Sequence, residues 1–207
     1  EAIGAALAQL HRYPDGSSYV LTQALAKHLG CSSDMLVLGN GSNEVIEFLV
    51  KACLEPGDEV ITSHPSFLMY QKFVQIRGGV NKVLPLNQMR HDFDAIVDSV
   101  SDRTRLIFLD NPNNPTGTVF DYETLQQLRQ ALPESVVVVL DEAYVDFVDP
   151  AQRLDSIKLI QQQDDGPQIV SLRTFSKAYG LAGLRLGFGL MSAELAVMLH
   201  RVRQPFN

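Results

Sequence analysis

Apolar residues along this chain of 207 residues recur either at helical spacing or in short unbroken runs. Within residues 42–54 they fall at positions 45, 46, 49, 50 and 53, which predicts an amphipathic helix that ends at the turn residues 55–58. Residues 136–140 are four valines and a leucine, which is typical of a strand buried on both faces. The same criteria predict strands at 59–62, 80–84, 105–109, 168–172 and 184–190, and helices at 65–77, 122–132 and 193–202.

This alternation of strands and helices predicts the fold class. Strands separated by helices of this length form βαβ units, so we expect an α/β fold with a mostly parallel sheet and helices on both of its faces. Residues 146–167 are rich in Asp and Gln, and we expect them to lie on the surface. The sequence contains no internal repeat, low-complexity tract or clear linker, which indicates one domain.

Composition and charge narrow the function classes. Hydrophobic residues make up 45% and charged residues 20% of the chain, values that suit a globular protein rather than a disordered one. With 17 Lys and Arg against 24 Asp and Glu, the net charge is −7, which argues against a nucleic-acid surface. The apolar runs are too short for a membrane span, no secretion signal is evident, and Cys31 and Cys53 cannot form a disulfide scaffold, so we expect a cytoplasmic protein. The histidines lack metal-ligand spacing, and we expect no metal.

Polar residues follow three of the predicted strands, directly after each strand ends. Residues 110–117 carry amides and prolines, residues 141–144 carry two carboxylates and a tyrosine, and residues 173–177 carry hydroxyls and a lysine. Because the carboxyl ends of parallel strands meet at one edge of a sheet, where ligands bind, we expect these three segments to form one site.

An anion site is predicted where the Gly-rich residues 39–44 open directly into the helix at 42–54. The first-turn amides of a helix have no intrahelical partner, and the helix dipole favours negative charge there. Hydroxyls and a cation from the neighbouring edge can add further donors. The predicted phosphate donors are Ser42, Asn43, Thr174, Ser176 and Arg185.

Other side chains at this edge match the remaining groups of one cofactor. Asp141 can pair with a protonated ring nitrogen, Asn114 can bind a ring hydroxyl, and an aromatic side chain from residues 65–70 can stack on a ring face. The amine of Lys177 can form a Schiff base with an aldehyde. A phosphate, a pyridine nitrogen, a phenolic oxygen and an aldehyde all belong to pyridoxal 5′-phosphate, whose ring acts as an electron sink, so this is the predicted cofactor.

Four of these segments together resemble the class I and II aminotransferases that share the PLP-transferase fold type I. They are GNGSNE at 39–44, DNPNNPTG at 110–117, DEAY at 141–144 and SLRTFSKAYGLAGLRLGF at 171–188. With RYPDG at 12–16 and PSFLMY at 65–70, the pattern is similar to the histidinol-phosphate aminotransferase branch in particular. The resemblance implies a three-layer α/β/α large domain with a mostly parallel sheet.

The resemblance also implies a role for each candidate residue. Lys177 would hold the cofactor covalently and move the proton during catalysis, and Asp141 would pair with the pyridine nitrogen. Asn114 and Tyr144 would bind the phenolic oxygen, and the phosphate donors would be those named above. Taken alone, Asp141 could equally cap a helix and Asn114 form a turn, but their order with Tyr144 and Lys177 favours the functional roles.

Three aromatic residues have roles that rest on the same resemblance. Tyr70 would stack on the cofactor ring, with Phe67 as the second candidate. Tyr13 would reach the phosphate of the cofactor in a neighbouring subunit, which requires a homodimer.

The implied reaction is transamination between L-histidinol phosphate and 2-oxoglutarate, which yields imidazole acetol phosphate and L-glutamate in histidine biosynthesis. Two related activities stay open: an aromatic amino-acid aminotransferase of the same branch, and a threonine-phosphate-type decarboxylase with the same cofactor. A third alternative, the effector domain of a transcription regulator, would need a DNA-binding module that this chain does not contain.

The resemblance implies that residues 1–207 form the cofactor-binding large domain, with residues 1–30 as an N-terminal arm or helix at the dimer interface. The smaller C-terminal domain of the family, with the arginine that binds the substrate, would lie outside this chain. Substrate choice therefore rests on the resemblance alone, and the activity of this chain on its own is left in question.

Overall fold

A computed structural model describes residues 2–162 and 166–205, which form helices packed around a seven-stranded sheet. The strands are β1 (Leu36–Asn40), β2 (Glu59–His64), β3 (Val80–Pro85), β4 (Thr104–Asp110), β5 (Val137–Asp141), β6 (Gln168–Thr174) and β7 (Leu186–Leu190). The α-helices are α1 (Ala2–Ala6), α2 (Tyr19–Leu29), α3 (Ser42–Cys53), α4 (Met69–Arg77), α5 (Phe93–Asp98), α6 (Tyr122–Ala131), α7 (Ser156–Gln161) and α8 (Ala193–Val202).

The sheet has the strand order β1-β7-β6-β5-β4-β2-β3. Five neighbouring strands, from β6 to β3, run parallel, whereas β7 is antiparallel to both β6 and β1. The predicted mostly parallel sheet is therefore confirmed. Because β4, β5 and β6 are adjacent and parallel, their carboxyl ends open at the same edge.

Helices cover both faces of the sheet, as the alternating pattern predicts. Side chains of α2, α5, α6 and α7 join one apolar core, and those of α3, α4 and α8 join the other. Strand β5 contributes to both, since Val138 and Leu140 lie in the first core and Val139 in the second. This explains why its sequence is an unbroken apolar run rather than an alternating one.

Three differences from the sequence prediction have physical causes. The predicted helix at 65–77 begins only at Met69, because residues 65–68 form a bend and a turn before it. Strand β1 was not predicted: its local signal is only the short apolar run at 35–38, and its pairing partner β7 lies about 150 residues further along the chain. Residues 146–167 are not simply surface, because they contain α7, which buries Leu159 and Ile160; residues 163–165 of that stretch lie outside the described part.

Candidate active site

A cavity of about 220 Å³ lies where β4, β5 and β6 end. The last residues of these strands, Asp110, Asp141 and Thr174, all line it. Asp110 and Asp141 are direct partners in the register of β4 and β5. The polar segments after the strands therefore meet at one edge, as the parallel order requires.

The cavity brings together the residues that the sequence analysis proposed for cofactor binding. Those that line it are Ser42, Asn43, Tyr70, Asn114, Asp141, Tyr144, Thr174, Ser176, Lys177 and Arg185. Phe67, the second stacking candidate, lines it as well. Tyr13 lies away from the cavity, with 80% of its surface exposed.

One end of the cavity is a cradle at the start of α3. Gly41, the N-cap residue, has a φ of 75°, and no side chain in the described part caps the helix. The N–H of Gly41 donates to the carbonyl of Arg185 at 2.9 Å, which brings the two segments together. The Arg185 guanidinium lies so close that a Cβ on Gly41 would sit 2.7 Å from its Nη2. A helix N-terminus beside a guanidinium favours an anion.

Strand β7 holds this cradle in place through a close backbone contact. A Cβ on Gly187 would lie 2.1 Å from the amide nitrogen of Ser42 and 2.5 Å from the carbonyl carbon of Gly41. No side chain fits there without moving the backbone of the cradle. On the other side, Thr174 Oγ1 donates to Ser176 Oγ at 3.1 Å and accepts the Ser176 N–H at 3.2 Å, which orients the serine.

Asp141 sits at the floor of the cavity with both oxygens bound by the protein. Its Oδ2 accepts the Tyr70 hydroxyl at 2.8 Å, and its Oδ1 accepts the Ala143 N–H at 3.1 Å. Burial raises the pKa of the Asp141 carboxyl to about 6, the negative charges of Asp110 and Glu142 add to the rise, and the Tyr70 hydrogen bond opposes it. The same burial, with Asp141 nearby, raises the pKa of Tyr70 well above its usual value.

Tyr70 is fully buried and its ring is already stacked. The ring of Phe108 lies parallel to it at 4.5 Å between centroids, with 8° between the planes. Phe67 meets Tyr70 edge to face at 5.5 Å and is only partly buried. One face of the Tyr70 ring thus packs on Phe108 and its hydroxyl is bound to Asp141, whereas Phe67 is the less buried of the two candidate stacking rings.

Lys177 and Tyr144 form a further part of the cavity lining. The Lys177 Nζ lies 5.2 Å from the centroid of the Tyr144 ring, within the range of a cation–π contact. Lys177 is exposed, so its amine is open to a ligand.

Asp110 is a charged lining residue that the sequence analysis did not single out. It is buried, and it accepts hydrogen bonds from Ser66 Oγ at 2.9 Å and from the Asn114 N–H at 2.7 Å. Its signal was present in the sequence, because it ends one strand as Asp141 ends the next. Gly41, Ala143 and Ala182 also line the cavity, and as small residues they carry no chemical signature.

The described part of the chain shows two further negative findings. No group of three or more His, Cys, Asp or Glu residues within it is arranged to hold a metal ion. None of the helices within it is long and apolar enough to cross a membrane.

The fold and this site define an α/β protein of the aminotransferase type, and sequence comparison agrees. The family "Aminotransferase class I and II" matches residues 3–207, so the chain belongs to that family. A histidinol-phosphate aminotransferase of Desulfotalea psychrophila is 62% identical over all 207 residues, which are 55% of that protein's length. Histidinol-phosphate aminotransferase 2 of Nitrosospira multiformis is 42% identical over 206 residues, covering 100% of this chain and 52% of that relative.

A solved structure gives the same result at the level of the fold. The histidinol-phosphate aminotransferase of Sinorhizobium meliloti, in complex with pyridoxal-5′-phosphate, superimposes with a TM-score of 0.91 at 34% identity. The match covers 100% of this chain and 55% of that one. The three-layer α/β/α arrangement is thus the PLP-transferase fold type I, and the chain spans about half the length of the relatives it matches.

Proposed function

We propose that the protein is a pyridoxal 5′-phosphate-dependent transaminase that converts L-histidinol phosphate and 2-oxoglutarate to imidazole acetol phosphate and L-glutamate. The observation that carries this proposal is one cavity that combines an anion cradle, a buried carboxylate, an amide and an exposed lysine amine. The 62% identity to a histidinol-phosphate aminotransferase supports the choice of substrate.

The cradle fits the phosphate group of the cofactor. The first-turn N–H groups of α3 are hydrogen-bond donors, the Arg185 guanidinium is a cation that also donates, and Ser176 adds a hydroxyl. Asn43 is the second residue of α3, so its backbone N–H, rather than its side-chain oxygen, is the group that would donate to the phosphate. We assign the phosphate to Ser42, Asn43, Thr174, Ser176 and Arg185.

The remaining side chains fit the ring. Asp141 would accept a hydrogen bond from the ring nitrogen, and a cation there stabilises the buried carboxylate. Asn114 and Tyr144 would donate to the phenolic oxygen, and Phe67 would cover one ring face. When bound, the cofactor supplies an electron sink for the charge left on the substrate's α-carbon.

Lys177 has the two tasks that need a mobile amine. Its amine would hold the bound cofactor covalently when no substrate is present, and once free it would take the proton from the substrate's α-carbon and return it during the exchange. Its exposed position beside Tyr144 leaves the amine open to a ligand in the cavity.

A homodimer is the second part of the proposal. The N-terminal segment presents a set of largely exposed apolar side chains, the usual mark of a protein interface. They are Ile3, Leu7, Leu10, Tyr13, Tyr19 and Val20. We propose that a second copy covers them and that Tyr13 then reaches the partner's cofactor phosphate.

The free thiols of Cys31 and Cys53 are consistent with the cytoplasm as the compartment.

Sedimentation of the full-length protein tests the dimer. We expect the mass of two chains, and a shift to one chain in the double variant Leu7→Asp/Leu10→Asp. Ile76→Asp is the matched control, since Ile76 is an equally exposed apolar residue on α4 and lies outside the N-terminal segment. A monomer before any substitution would refute this part.

The substrate is tested by mixing the full-length protein and cofactor with L-histidinol phosphate or with L-tyrosine, and following the visible absorbance of the cofactor. We expect the change with histidinol phosphate at far lower concentration. A preference for tyrosine would establish the aromatic aminotransferase instead, and release of carbon dioxide from a phosphorylated amino acid would establish the decarboxylase.

A further inference from the structure

A buried polar chain of three side chains runs from β2 to the cavity. Ser63 Oγ lies 2.8 Å from Nδ1 of His91, and Nε2 of His91 lies 3.1 Å from the carbonyl oxygen and 3.3 Å from the carboxylate Oδ1 of Asp110. All three residues are buried, and the function proposed above uses none of them. Buried polar groups arranged in this way need an explanation.

The hydrogen-bond partners determine the orientation of His91. Among the described residues, its Nε2 faces two acceptors, both on Asp110, so this nitrogen carries a hydrogen: it donates to the main-chain carbonyl, and the carboxylate Oδ1 is a close polar contact beside that bond. Its Nδ1 faces the Ser63 hydroxyl, which can donate to a neutral ring. The rings of Phe93 and Phe120 lie edge to face against the imidazole at 6.3 and 6.0 Å, which holds it in place.

The Asp110 carboxylate in turn holds the loop that follows β4. Its Oδ2 accepts the backbone N–H of Asn114 at 2.7 Å, and both of its oxygens lie 3.1 Å from the side-chain nitrogen Nδ2 of Asn113. Asn113 passes the constraint on, because its Oδ1 accepts the Thr116 hydroxyl at 2.7 Å. The carboxylate thus determines where the backbone of Asn114 lies, and with it where the Asn114 side chain enters the cavity.

We propose that His91 and Asp110 are positioning residues for Asn114: His91 holds Asp110 through a hydrogen bond to its main-chain carbonyl and a close contact with its carboxylate, and that carboxylate fixes the Asn114 backbone and aims its side-chain amide at the phenolic oxygen of the cofactor. This inference rests on the proposed function, since it assigns the amide a target on the cofactor. It gives a role to the one buried histidine–carboxylate pair in the described residues.

The test uses Asp110→Asn and His91→Phe in the full-length protein loaded with pyridoxal 5′-phosphate. Asp110→Asn keeps the shape of the side chain but replaces an acceptor oxygen by an NH₂ group that faces donors such as the Asn114 N–H. His91→Phe keeps a ring between Phe93 and Phe120 but removes both ring nitrogens. Two readouts are measured: the midpoint of the pH titration of the visible band of the lysine-bound cofactor, and the dissociation constant for the cofactor.

We expect both variants to raise the midpoint by about one pH unit and to weaken cofactor binding about tenfold, the effect of one lost hydrogen bond. Ser63→Ala removes only the hydroxyl at the far end of the row of polar side chains, and it should change both readouts less. Phe120→Leu is the control for packing, because it loosens the same cluster and leaves every polar atom of the chain in place. It should lower the free energy of unfolding without moving the midpoint.

Asn114→Ala separates positioning from a merely structural role. If Asp110 acts through Asn114, adding Asp110→Asn to Asn114→Ala moves the midpoint no further than Asn114→Ala alone. Additive shifts, or a loss of stability with an unchanged midpoint, would overturn the inference while the proposed function stands. If the unsubstituted protein forms no visible band with the cofactor, the proposed function itself fails.

Discussion

Asp141 and Tyr70 are 71 positions apart in the sequence and form one hydrogen-bonded unit at the floor of the cavity. The pair holds a carboxylate in a buried place where burial disfavours its charge, and a cation at the ring nitrogen of the cofactor would relieve that cost. At the scale of the residue, the site is therefore less stable empty than filled.

Tyr70→Phe distinguishes the two roles considered for this tyrosine. The substitution keeps the ring and removes the hydroxyl, so a stacking residue would lose nothing, whereas a partner of Asp141 should lose about tenfold or more in cofactor affinity. We expect the loss, measured by titration of the apoprotein with pyridoxal 5′-phosphate. Phe67→Leu should also weaken binding, by the smaller amount of a lost ring contact. Unchanged affinity in Tyr70→Phe would refute the supporting role.

The raised pKa of Asp141 predicts how stability depends on pH. Because the folded-state pKa of about 6 lies above the unfolded value of 3.8, the folded state binds the proton more tightly, and the free energy of unfolding falls as pH rises through this window. The loss amounts to about 3 kcal/mol. In the unliganded protein, Asp141→Asn has no carboxyl to ionise and does not suffer this loss. Its free energy of unfolding relative to the parent should therefore rise by that amount between pH 4 and 7.

Urea unfolding at several pH values measures this difference. Asp121→Asn is the control. Asp121 is an exposed helix cap, and its hydrogen bonds with Thr124 lower the pKa of its carboxyl. Its variant should gain no relative stability as the pH rises. A difference between Asp141→Asn and the parent protein that stays constant with pH would contradict a buried carboxylate with a raised pKa.

At the scale of elements, the close packing of β7 against the start of α3 shapes the anion cradle. The cradle backbone lies within contact distance of Gly187, and Arg185 reaches it from the residues just before β7. The two segments are far apart in sequence but adjacent in space, because β7 pairs with β1, which leads directly into α3.

Gly187→Ala should disturb this cradle. The added methyl group would overlap the backbone of Gly41 and Ser42, so we expect a loss of about 1–3 kcal/mol in unfolding free energy and weaker binding of the cofactor phosphate. Gly183→Ala, four residues earlier and in open space, should leave both unchanged. The contrast is measured by urea unfolding and by titration with pyridoxal 5′-phosphate. Equal behaviour of the two variants would rule out a cradle set by Gly187.

The sequence predicts those elements whose signal is local. The periodic helix α3 and the valine run of β5 were both foreseen, and so was the convergence of residues such as Asn114 and Lys177 at one edge. Strand β1 and helix α7 were not, because both are short: β1 has five residues and pairs with the distant β7, and α7 has only six residues. The same cause hid the Tyr70–Asp141 pair and the His91–Asp110 contact, since no spacing encodes which buried polar groups will meet.

At the scale of the whole molecule, the chain is a single α/β/α sandwich, and the relatives that it matches are nearly twice as long: it spans 55% of the Desulfotalea protein. Within this half lie the cradle, the buried carboxylate, the amide and the lysine amine around one cavity. We therefore expect the cofactor to bind here.

The most direct test is to incubate the protein with pyridoxal 5′-phosphate, reduce it with borohydride, and locate the modified lysine by peptide mass analysis. Reduction makes the bond between cofactor and amine permanent, so the map identifies the lysine without any assay of activity. We predict a single modified site at Lys177, and in Lys177→Ala weakened but retained binding without covalent labelling. Labelling at another of the six lysines (27, 51, 72, 82, 158 and 177), or at none, would contradict the account.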